Sequence, residues 1–493
     1  MNKGKVKIVG AGIGPSDLIT IRGKEALEDA DVIIFDRLLN EDLIAPYKGK
    51  KELYYAGKAA GDHYLTQDEI NTLMVEKAKE NKIVVRLKGG DPYVFGRGGE
   101  EALYCVEHGV DFEVIPGVTS GIVSLMYAGI PATHRDICTS VSFITGHRKK
   151  GVIGTFQEYG KLEGNLVFYM GLKNLPKITK ELIEGGMDSG KPAAVIMNGG
   201  YPNQKTFVST VGRIAEEIKD KEFGSPSLIV IGDGVSFRGE LNFYEKLPLF
   251  GKRIVVTRAR SQASKMVKSL EALGAEVLQA PTIEIQKINE EGLKEAIAHW
   301  DYTHIVFHSV NGIRFFFDEF LKVRDLRDLA GIKCCVIGDS TAKLLKEYGI
   351  HPDIIPDRYV GEELIDAIRK DGMKDRKILL PHSKTTRETL LNEYESLGKI
   401  HALPIYASVM PEQITELPDE VDYILFMSST TVKNFIEIYG KKILNQGKVI
   451  SIGPITTDTL ESEDILVYKE AAKATIKSMV ECIKEDVQCE CEE

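Results

Sequence analysis

Short runs of apolar, often β-branched residues alternate with longer amphipathic stretches along the whole chain. The segments KVKIVGAG, DVIIFD, KIVVRLKGG, DFEVIPG and NLVFYMG have the length and composition of buried strands. GEEALYCVEHG and TKELIEGG carry apolar residues at helical spacing and end at glycine. Strands that alternate with helices in this way predict an α/β fold whose sheets are at least partly parallel.

The alternation is interrupted at FYEKLPLFGKRIVVTRAR. Pro248 and Gly251 separate one series of strands and helices from the next. A chain of 493 residues is too long for one ordinary core. We therefore predict two independent halves, 1–245 and 246–493.

The second half repeats its own pattern. FHSVNGIRFF returns as FMSSTTVKNF, VIGDSTAKLLKEYG as SIGPITTDTLESE, and RIVVTRARSQASKMVKSLEALG as KILLPHSKTTRETLLNEYESLG, each 115 to 124 residues later. A strand, a polar turn and a helix have been duplicated as one unit. This predicts two similar α/β lobes that face a cleft, with the polar turns after the strands lining it.

Charge and cysteine content narrow the classes of partner. The formal net charge is -10, which argues against nucleic acid as the main partner because binding to phosphates needs a basic face. A locally basic cleft could still bind an anionic small substrate. Seven cysteines, an odd number, favour a reducing compartment over a disulfide framework. There is no long apolar run, and MNKGKVKIVG has no signal-peptide pattern, so we expect a cytoplasmic protein with no membrane partner.

The first glycine cluster, GAGIGP at positions 10–15, departs from the dinucleotide-binding fingerprint G-x-G-x-x-G. Proline stands at the sixth position, where the third glycine would allow close packing of helix on strand. Asp36, at the end of the next predicted strand, would supply the acidic residue that such a site needs. A nicotinamide-dinucleotide site is therefore an alternative at this stage.

Two further stretches carry residues suited to ligand binding. RLKGGDPYVFGRGGEE places Gly89, Gly90 and Asp91 after a strand, where glycine lets a ligand approach the backbone and turn amides can bind a carboxylate. Thr119 and Ser120 in PGVTS lie at a predicted helix start and serve either as caps or as ligand contacts. The GxxxxGK[ST] motif of P-loop ATPases is not present in the sequence.

The stretches of the first half that carry a resemblance to a known family are VGAGIGPSDLIT, DRLL, GKAAG, RLKGGDPYVFGRGGEE, PGVTS, GIPATHRD, TGH, VFYMGL and SPSLIVIG. With them the first half resembles the tetrapyrrole methylases over essentially all of 4–245, and within that family the uroporphyrinogen-III C-methyltransferases. The resemblance implies two α/β lobes with the active site between them, S-adenosylmethionine as cofactor, and a homodimer formed through this half. The implied cofactor contacts are Ile13 (where the family usually has proline), Gly89, Gly90, Asp91, Val94, Thr119, Ser120, Met170 and Gly199.

The same resemblance implies the reacting groups. Asp36 of DRL matches the family's proposed general base, and Lys58 of GKAAG matches its proposed acid. A sulfonium methyl is already electrophilic, so no metal is needed, and a carboxylate can stabilise the positive charge that develops on a pyrrole or remove a proton. The substrate is a polycarboxylate, and the basic candidates to bind it are Arg22, Arg37, Arg97, His134, Arg135, His147 and Arg148.

The second half offers hydroxyls and amides on turns, but no metal-ligand cluster and no Ser–His–Asp spacing. The order of its turns resembles the uroporphyrinogen-III synthases over about 251–485, which implies catalysis without a cofactor and discontinuous lobes, 251–283 with 408–493 and 284–407. Tyr406 in LPIYAS aligns with a family tyrosine that assists loss of a hydroxyl; packing between lobes is its alternative role. The expected carboxylate-binding turn residues are Ser309, Ser428, Ser429, Thr456 and Thr457.

The sequence therefore predicts a bifunctional enzyme. The second half would cyclise hydroxymethylbilane to uroporphyrinogen III with inversion of ring D. The first half would methylate that product at C2 and C7 to give precorrin-2, on the way to cobalamin or sirohaem. The alternatives are a related methylase with a different substrate and a second half that only binds tetrapyrroles.

Overall fold

The computed structural model describes residues 4–36, 39–56, 65–147, 155–258, 260–358, 361–411 and 414–492. The chain divides into two compact units. The first unit comprises Met1–Lys252, Leu270–Glu276 and Val487–Glu493, and the second comprises Arg253–Ser269 and Val277–Asp486. Strands and helices alternate in both, and the described strands form four five-stranded sheets. The predicted α/β class is confirmed.

The first sheet of the first unit is parallel throughout. Its strands are β1 (Lys5–Gly10), β2 (Val32–Phe35), β3 (Glu52–Tyr55), β4 (Ile83–Lys88) and β5 (Asp111–Ile115). The helices that pack against it are α1 (Ile21–Asp29), α2 (Gln67–Lys79) and α3 (Gly98–Glu107), whereas α4 (Ser120–Tyr127) packs against the second sheet of this unit. The strand order is β3-β2-β4-β1-β5. The apolar runs of β2 and β4 are buried because helices cover both faces of a parallel sheet.

The second sheet of the first unit is mixed. Its strands are β6 (Val141–Thr145), β7 (Asn165–Tyr169), β8 (Pro192–Met197), β9 (Lys205–Thr210) and β10 (Ser227–Ile231), with helices α5 (Leu175–Glu184), α6 (Ile214–Glu217) and α7 (Arg238–Leu241). The strand order is β6-β7-β10-β8-β9, in which β6 and β7 are parallel and the remaining pairs are antiparallel.

Two more sheets follow along the chain. Their strands are β11 (Arg253–Val256), β12 (Glu276–Gln279), β13 (Glu284–Lys287), β14 (His304–Phe307), β15 (Lys333–Val336), β16 (Arg376–Ser383), β17 (Gly398–Val409), β18 (Tyr423–Phe426), β19 (Lys448–Ser451) and β20 (Lys469–Glu470). The orders are β12-β11-β18-β19-β20 and β13-β17-β16-β14-β15. The helices are α8 (Arg260–Glu271), α9 (Glu290–Ala298), α10 (Val310–Val323), α11 (Asp339–Glu347), α12 (Gly361–Lys370), α13 (Glu388–Glu395), α14 (Ser429–Tyr439), α15 (Pro454–Ser462) and α16 (Ile476–Glu492).

The internal repeat of the second half has a structural counterpart. In each sheet a buried strand, β14 or β18, leads through a serine into a long helix, α10 or α14. Ser309 Oγ accepts a hydrogen bond from Gly312 N at 3.2 Å, and Ser428 Oγ accepts one from Thr431 N at 3.3 Å. The same N-cap therefore opens the equivalent helix of both copies.

Among the described helices, none has both the length and the apolar character needed to cross a bilayer.

Candidate active sites

Three backbone turns of the first unit meet at the carboxyl end of β1. A Cβ atom added to Gly10 would lie 2.5 Å from Gly117 N and 2.7 Å from Gly90 O, and one added to Gly117 would lie 2.3 Å from Gly90 O. Gly12 N donates to Gly90 O at 3.2 Å, which ties the first glycine cluster to the second. Only glycine permits backbones to pack this closely. Gly10, Gly90 and Gly117 therefore form one close backbone contact, which we call the glycine joint.

The cluster GAGIGP does not lead into a nucleotide-binding helix. Pro15 precedes a short 3-10 helix, Ser16–Leu18, and α1 begins only at Ile21 with Thr20 as its cap. A Cβ atom on Gly14, whose φ is +72°, would lie 2.5 Å from Gly200 O. The turn is therefore packed against backbone, and no helix N-terminus follows it directly to receive a pyrophosphate.

A buried charge network lies at the carboxyl end of β2 and β4. Arg86 Nη2 donates to Asp36 Oδ1 at 2.6 Å, and Arg86 Nε donates to Glu101 Oε1 at 3.1 Å. Lys88 Nζ lies 2.8 Å from the same Glu101 oxygen. The side chains of Arg86, Lys88 and Glu101 are 3%, 5% and 0% exposed, whereas that of Asp36 is 32% exposed. Asp36 is thus the member of the network that reaches solvent.

The network shifts the pKa values of its two cations in opposite directions. Burial disfavours the charge on Arg86, but Asp36 and Glu101 outweigh this and raise the pKa of the guanidinium. Burial and then the nearby Arg86 lower the pKa of Lys88, against the attraction of Glu101. Glu101 Oε2 has no hydrogen-bond partner among the described residues. Arg86 therefore stays charged and fixes one oxygen of Asp36.

The start of α4 is held by a tyrosine from β7. Tyr169 Oη lies 2.8 Å from Thr119 Oγ1 and accepts a hydrogen bond from Gly121 N at 2.8 Å. The Tyr169 ring also packs against Phe95 with centroids 4.8 Å apart. The next residue, Met170, is 59% exposed and has a φ of +55°. A cavity of about 680 Å³ adjoins it, lined by Pro92, Tyr93, Phe95, Arg97, Gly98, Gly99, Glu100, Thr145 and Met170.

The second unit contains a cavity of about 560 Å³ at the carboxyl ends of its strands. Its described lining residues are Arg258, Ile283, Ile285, Asn311, Ser383, Tyr406, Ser408, Met427, Ser428, Thr431, Ile452, Ala474 and Ile476. Both of its sheets contribute to this wall, as the duplicated pattern predicts. Hydroxyl groups, one amide and one guanidinium, interspersed with isoleucine and methionine side chains, suit an organic anion.

Tyr406 is the titratable phenol of this cavity. Its hydroxyl lies 2.7 Å from Ser309 Oγ. Burial raises the pKa of Tyr406, and the hydrogen bond with Ser309 opposes this only partly. The phenol is therefore protonated at neutral pH and can donate a hydrogen bond.

Known proteins resemble both halves of the chain. The family described as Tetrapyrrole (Corrin/Porphyrin) Methylases matches residues 5–215, and the family described as Uroporphyrinogen-III synthase HemD matches residues 264–481. A porphyrin biosynthesis protein HemD from Ruminiclostridium josui is 38% identical over 497 residues, which cover 98% of each chain. The chain belongs to the tetrapyrrole methylases and, in its second half, to the uroporphyrinogen-III synthases.

Relatives of the methylase half alone are also similar. A uroporphyrinogen-III C-methyltransferase from Bacillus subtilis (strain 168) is 47% identical over 246 residues, 49% of this chain and 95% of that protein. The native crystal structure of a uroporphyrin III C-methyl transferase from Thermus thermophilus is 35% identical, covers 47% of this chain and 99% of its own, and has a TM-score of 0.41. The two family matches together make this chain a two-part enzyme of tetrapyrrole biosynthesis.

The structure brings several of the predicted cofactor contacts of the methylase together. Asp91 Oδ2 accepts from Gly117 N at 3.1 Å, and a Cβ atom on Gly90 would be 3.7 Å from Ser120 N. Val94 packs against the apolar cluster that contains Tyr169, beside Met170. Gly199 is buried against Ser124 of α4, and Ile13 is half-buried in the first turn. Their contacts with a cofactor stay predictions.

The predicted polycarboxylate-binding residues of the methylase are more scattered. Arg22 is exposed and pairs with Glu113, while Arg97 pairs with Glu100 at 2.6 Å and lines the 680 Å³ cavity. His134 stacks on Phe237 with centroids 4.6 Å apart, and Arg135 and His147 are exposed. Lys58, Arg37 and Arg148 lie outside the described residues.

The predicted synthase residues divide into two sets. Tyr406 and Ser428 line the 560 Å³ cavity, and Ser309 contacts Tyr406. Ser429 Oγ accepts from Thr459 Oγ1 at 2.8 Å, Thr457 Oγ1 lies 2.6 Å from Ser451 Oγ, and Thr456 is 4% exposed. The hydroxyls of the second set are engaged with, or buried in, the protein around α14 and α15, and their binding role stays a prediction.

Sequence reasoning did not single out Arg86, Glu101 or Tyr169. All three lie inside or beside recognised motifs, RLKGGD, GRGGEE and VFYMGL. For Arg86 a signal was available in the sequence, because it is a charged residue within an apolar strand. Such a residue is rarely buried without a partner, so an acidic partner could have been expected.

His308 and His382 form a histidine pair near the carboxyl ends of β14 and β16 in the second unit. His308 Nε2 lies 2.8 Å from Tyr394 Oη, and burial, followed by repulsion from His382, lowers the pKa of His308 from 6.5 to about 4. The unfolded chain therefore takes up a proton before the folded chain does. We expect the free energy of unfolding to fall by about 3 kcal/mol between about pH 6.5 and 4 because of this group.

Urea unfolding, followed by the fluorescence of Trp300, measures this effect. Trp300 is the only tryptophan of the sequence and is partly buried against a core cluster of the second unit. His308→Gln should flatten the pH dependence, and His351→Gln, at an exposed position, should leave it unchanged. If the free energy of unfolding depended on pH equally in the wild type and in His308→Gln, His308 would not be the source of the pH dependence.

Proposed function

We propose that the second half of this enzyme cyclises hydroxymethylbilane to uroporphyrinogen III with inversion of ring D. The first half then methylates the product at C2 and C7 to give precorrin-2. One observation carries the proposal: the two families matched in this single chain complement each other, one as a synthase of uroporphyrinogen III and the other as a methylase of tetrapyrroles. We place the boundary between the two activities close to residue 246.

For the methylase half, we propose that S-adenosylmethionine binds across the glycine joint and the start of α4. Bound there, it supplies an electrophilic methyl group. The residues present fit it, because a Cβ atom on Gly90 would meet nothing closer than Ser120 N at 3.7 Å, so a ligand can approach the backbone there beside Thr119 and Ser120. The cavity beyond Met170 offers space for the tetrapyrrole.

Asp36 supplies the anionic group that this chemistry needs. A pyrrole carbon would bond to the methyl group as the methyl–sulfur bond breaks, with S-adenosylhomocysteine as the leaving group. Positive charge then remains on the ring until the ring loses a proton. A carboxylate held by Arg86 at 2.6 Å, yet 32% exposed, can face that charge or take the proton. Lys58 is the proposed partner that donates a proton to the macrocycle.

For the synthase half, we propose that Tyr406 assists departure of the hydroxyl of hydroxymethylbilane, which leaves as water. Its phenol is protonated, lines the cavity and is oriented by Ser309. The remaining task is to fold the flexible chain so that ring D closes in the inverted sense, and this is a matter of positioning. No cofactor is proposed for this half.

Tyr406→Phe tests the phenol. Because it removes one hydroxyl and keeps the ring, we expect kcat of the synthase to fall by about 10- to 100-fold while methylation of added uroporphyrinogen III is unchanged. Tyr302→Phe is the matched control, since Tyr302 Oη bonds His401 Nδ1 at 2.6 Å and the residue does not line the cavity. A Tyr406→Phe enzyme with the wild-type rate would assign Tyr406 to packing.

Two separate assays test the two halves. Purified chain with methyl-labelled S-adenosylmethionine and uroporphyrinogen III should transfer two methyl groups per tetrapyrrole; transfer to a different tetrapyrrole only would favour a related methylase. With hydroxymethylbilane alone, the chain should yield mainly isomer III. Isomer I alone would favour the alternative that the second half only binds tetrapyrroles.

The setting of the enzyme is part of the proposal. We place it in the cytoplasm, as a homodimer through the methylase half, upstream of cobalamin or sirohaem. The matched relatives support the pathway, since they include proteins named siroheme synthase that are 40% and 42% identical over 243 residues.

A further inference from the structure

We propose that Arg258 is a substrate-binding residue of the synthase half, whose guanidinium binds a carboxylate of the linear tetrapyrrole. The inference rests on the proposed function, since it requires that the 560 Å³ cavity receives hydroxymethylbilane. It adds a cationic residue to a site for which the sequence predicted only hydroxyls.

The charge distribution of the cavity singles out this residue. Arg258 is the one charged side chain among the described residues that line the cavity; the others are apolar, hydroxyl or amide groups. Arg258 is half-buried, and this partial burial lowers the pKa of its guanidinium. A cation there gains more from an incoming carboxylate than an exposed one would, because water screens it less.

The local structure holds Arg258 in position. It follows Thr257, whose Oγ1 donates to Leu425 O at 2.8 Å and whose carbonyl oxygen accepts from Thr282 N at 3.2 Å. The guanidinium Nη1 lies 4.0 Å from Met427 Sδ. The backbone next to Arg258 is thus anchored to β18, and a thioether lies beside the guanidinium.

The position of Arg258 relative to Tyr406 suits a substrate that must be bent. Arg258 follows β11 in one sheet, and Tyr406 belongs to β17 in the other. A polycarboxylate chain that binds Arg258 and also reaches Tyr406 would therefore contact both sheets that line the cavity. Arginine is better suited than lysine, because its planar fork can bind a carboxylate through two hydrogen bonds.

The test is steady-state kinetics of the full chain with hydroxymethylbilane. We expect Arg258→Met to raise KM by at least about tenfold, as loss of charge-assisted hydrogen bonds implies. We also expect the fraction of isomer I to rise, because linear tetrapyrrole that the protein does not hold closes spontaneously to that isomer. Arg258→Lys, which keeps the charge and the fold, should raise KM by less. The KM of the wild type should rise with salt, and that of Arg258→Met should rise much less.

Arg314→Met is the matched control, because Arg314 is exposed on α10 and does not line the cavity. Methylation of added uroporphyrinogen III checks the integrity of each preparation. If the wild type makes isomer III but both Arg258 variants keep its KM and salt dependence, the inference is overturned while the proposed function stands. If the wild type makes no isomer III, the proposed function itself fails.

Discussion

Replacement of Asp36 by asparagine should lower kcat for methyl transfer by at least about a hundredfold, while binding of S-adenosylhomocysteine stays within about twofold. Asparagine keeps the shape of the side chain and removes its charge. The amide can neither stabilise positive charge on the pyrrole as a carboxylate does nor accept the proton. The measurement is single-turnover transfer of labelled methyl groups to uroporphyrinogen III.

The controls use the same chain. Asp29→Asn removes an exposed carboxylate that pairs with Lys7 at 3.3 Å, and should leave methyl transfer unchanged. Synthase activity should be equal in wild type and Asp36→Asn, because Asp36 belongs to the other unit. A near-normal rate for Asp36→Asn would show that the carboxylate bonded to Arg86 is structural, and that another group faces the ring.

Gly117→Ala should damage both the stability and the proposed cofactor site of the methylase half. The added Cβ would lie 2.3 Å from Gly90 O and 2.7 Å from Gly10 C, and both contacts are with backbone, which cannot rotate away. The turns that carry Gly90 and Thr119 must then separate. We expect a loss of about 3 kcal/mol in the stability of the first unit and at least about tenfold weaker binding of S-adenosylhomocysteine.

Differential scanning calorimetry and isothermal titration of S-adenosylhomocysteine test this pair of effects. Gly239→Ala is the control: Gly239 lies in α7, where an added Cβ meets nothing within 4 Å. Because alanine favours the helix more than glycine does, Gly239→Ala should leave the stability of the first unit equal to that of the wild type or raise it slightly. Normal affinity in Gly117→Ala would mean that the glycine joint does not border the cofactor.

The sequence predicted the strands around both sites because their apolar runs were short, buried and followed by glycine or polar turns. KIVVRLKGG became β4, and the GEEALYCVEHG pattern became α3. The duplication in the second half predicted repeated units of strand, polar turn and helix, and in the structure Ser309 and Ser428 cap the two equivalent helices. Each of these features is encoded within a few neighbouring residues.

The charge network could not be predicted in the same way. Arg86 bonds Glu101, 15 residues further along the chain, and also Asp36 at the end of β2, so the Arg86–Asp36 pair depends on strand order. The order β3-β2-β4-β1-β5 places β4 beside β2, and periodicity alone does not specify this. Likewise, the close approach of Gly10, Gly90 and Gly117 is a tertiary contact between three motifs that the sequence shows separately.

The most direct test of the whole account is a one-pot reaction. Purified chain is given hydroxymethylbilane and S-adenosylmethionine, without any other enzyme, and the absorbance of precorrin-2 is followed. We predict that precorrin-2 accumulates, and that omission of S-adenosylmethionine stops the reaction at uroporphyrinogen III. Formation of uroporphyrinogen I alone, with no dimethylated product, would contradict the assignment of both activities to this chain.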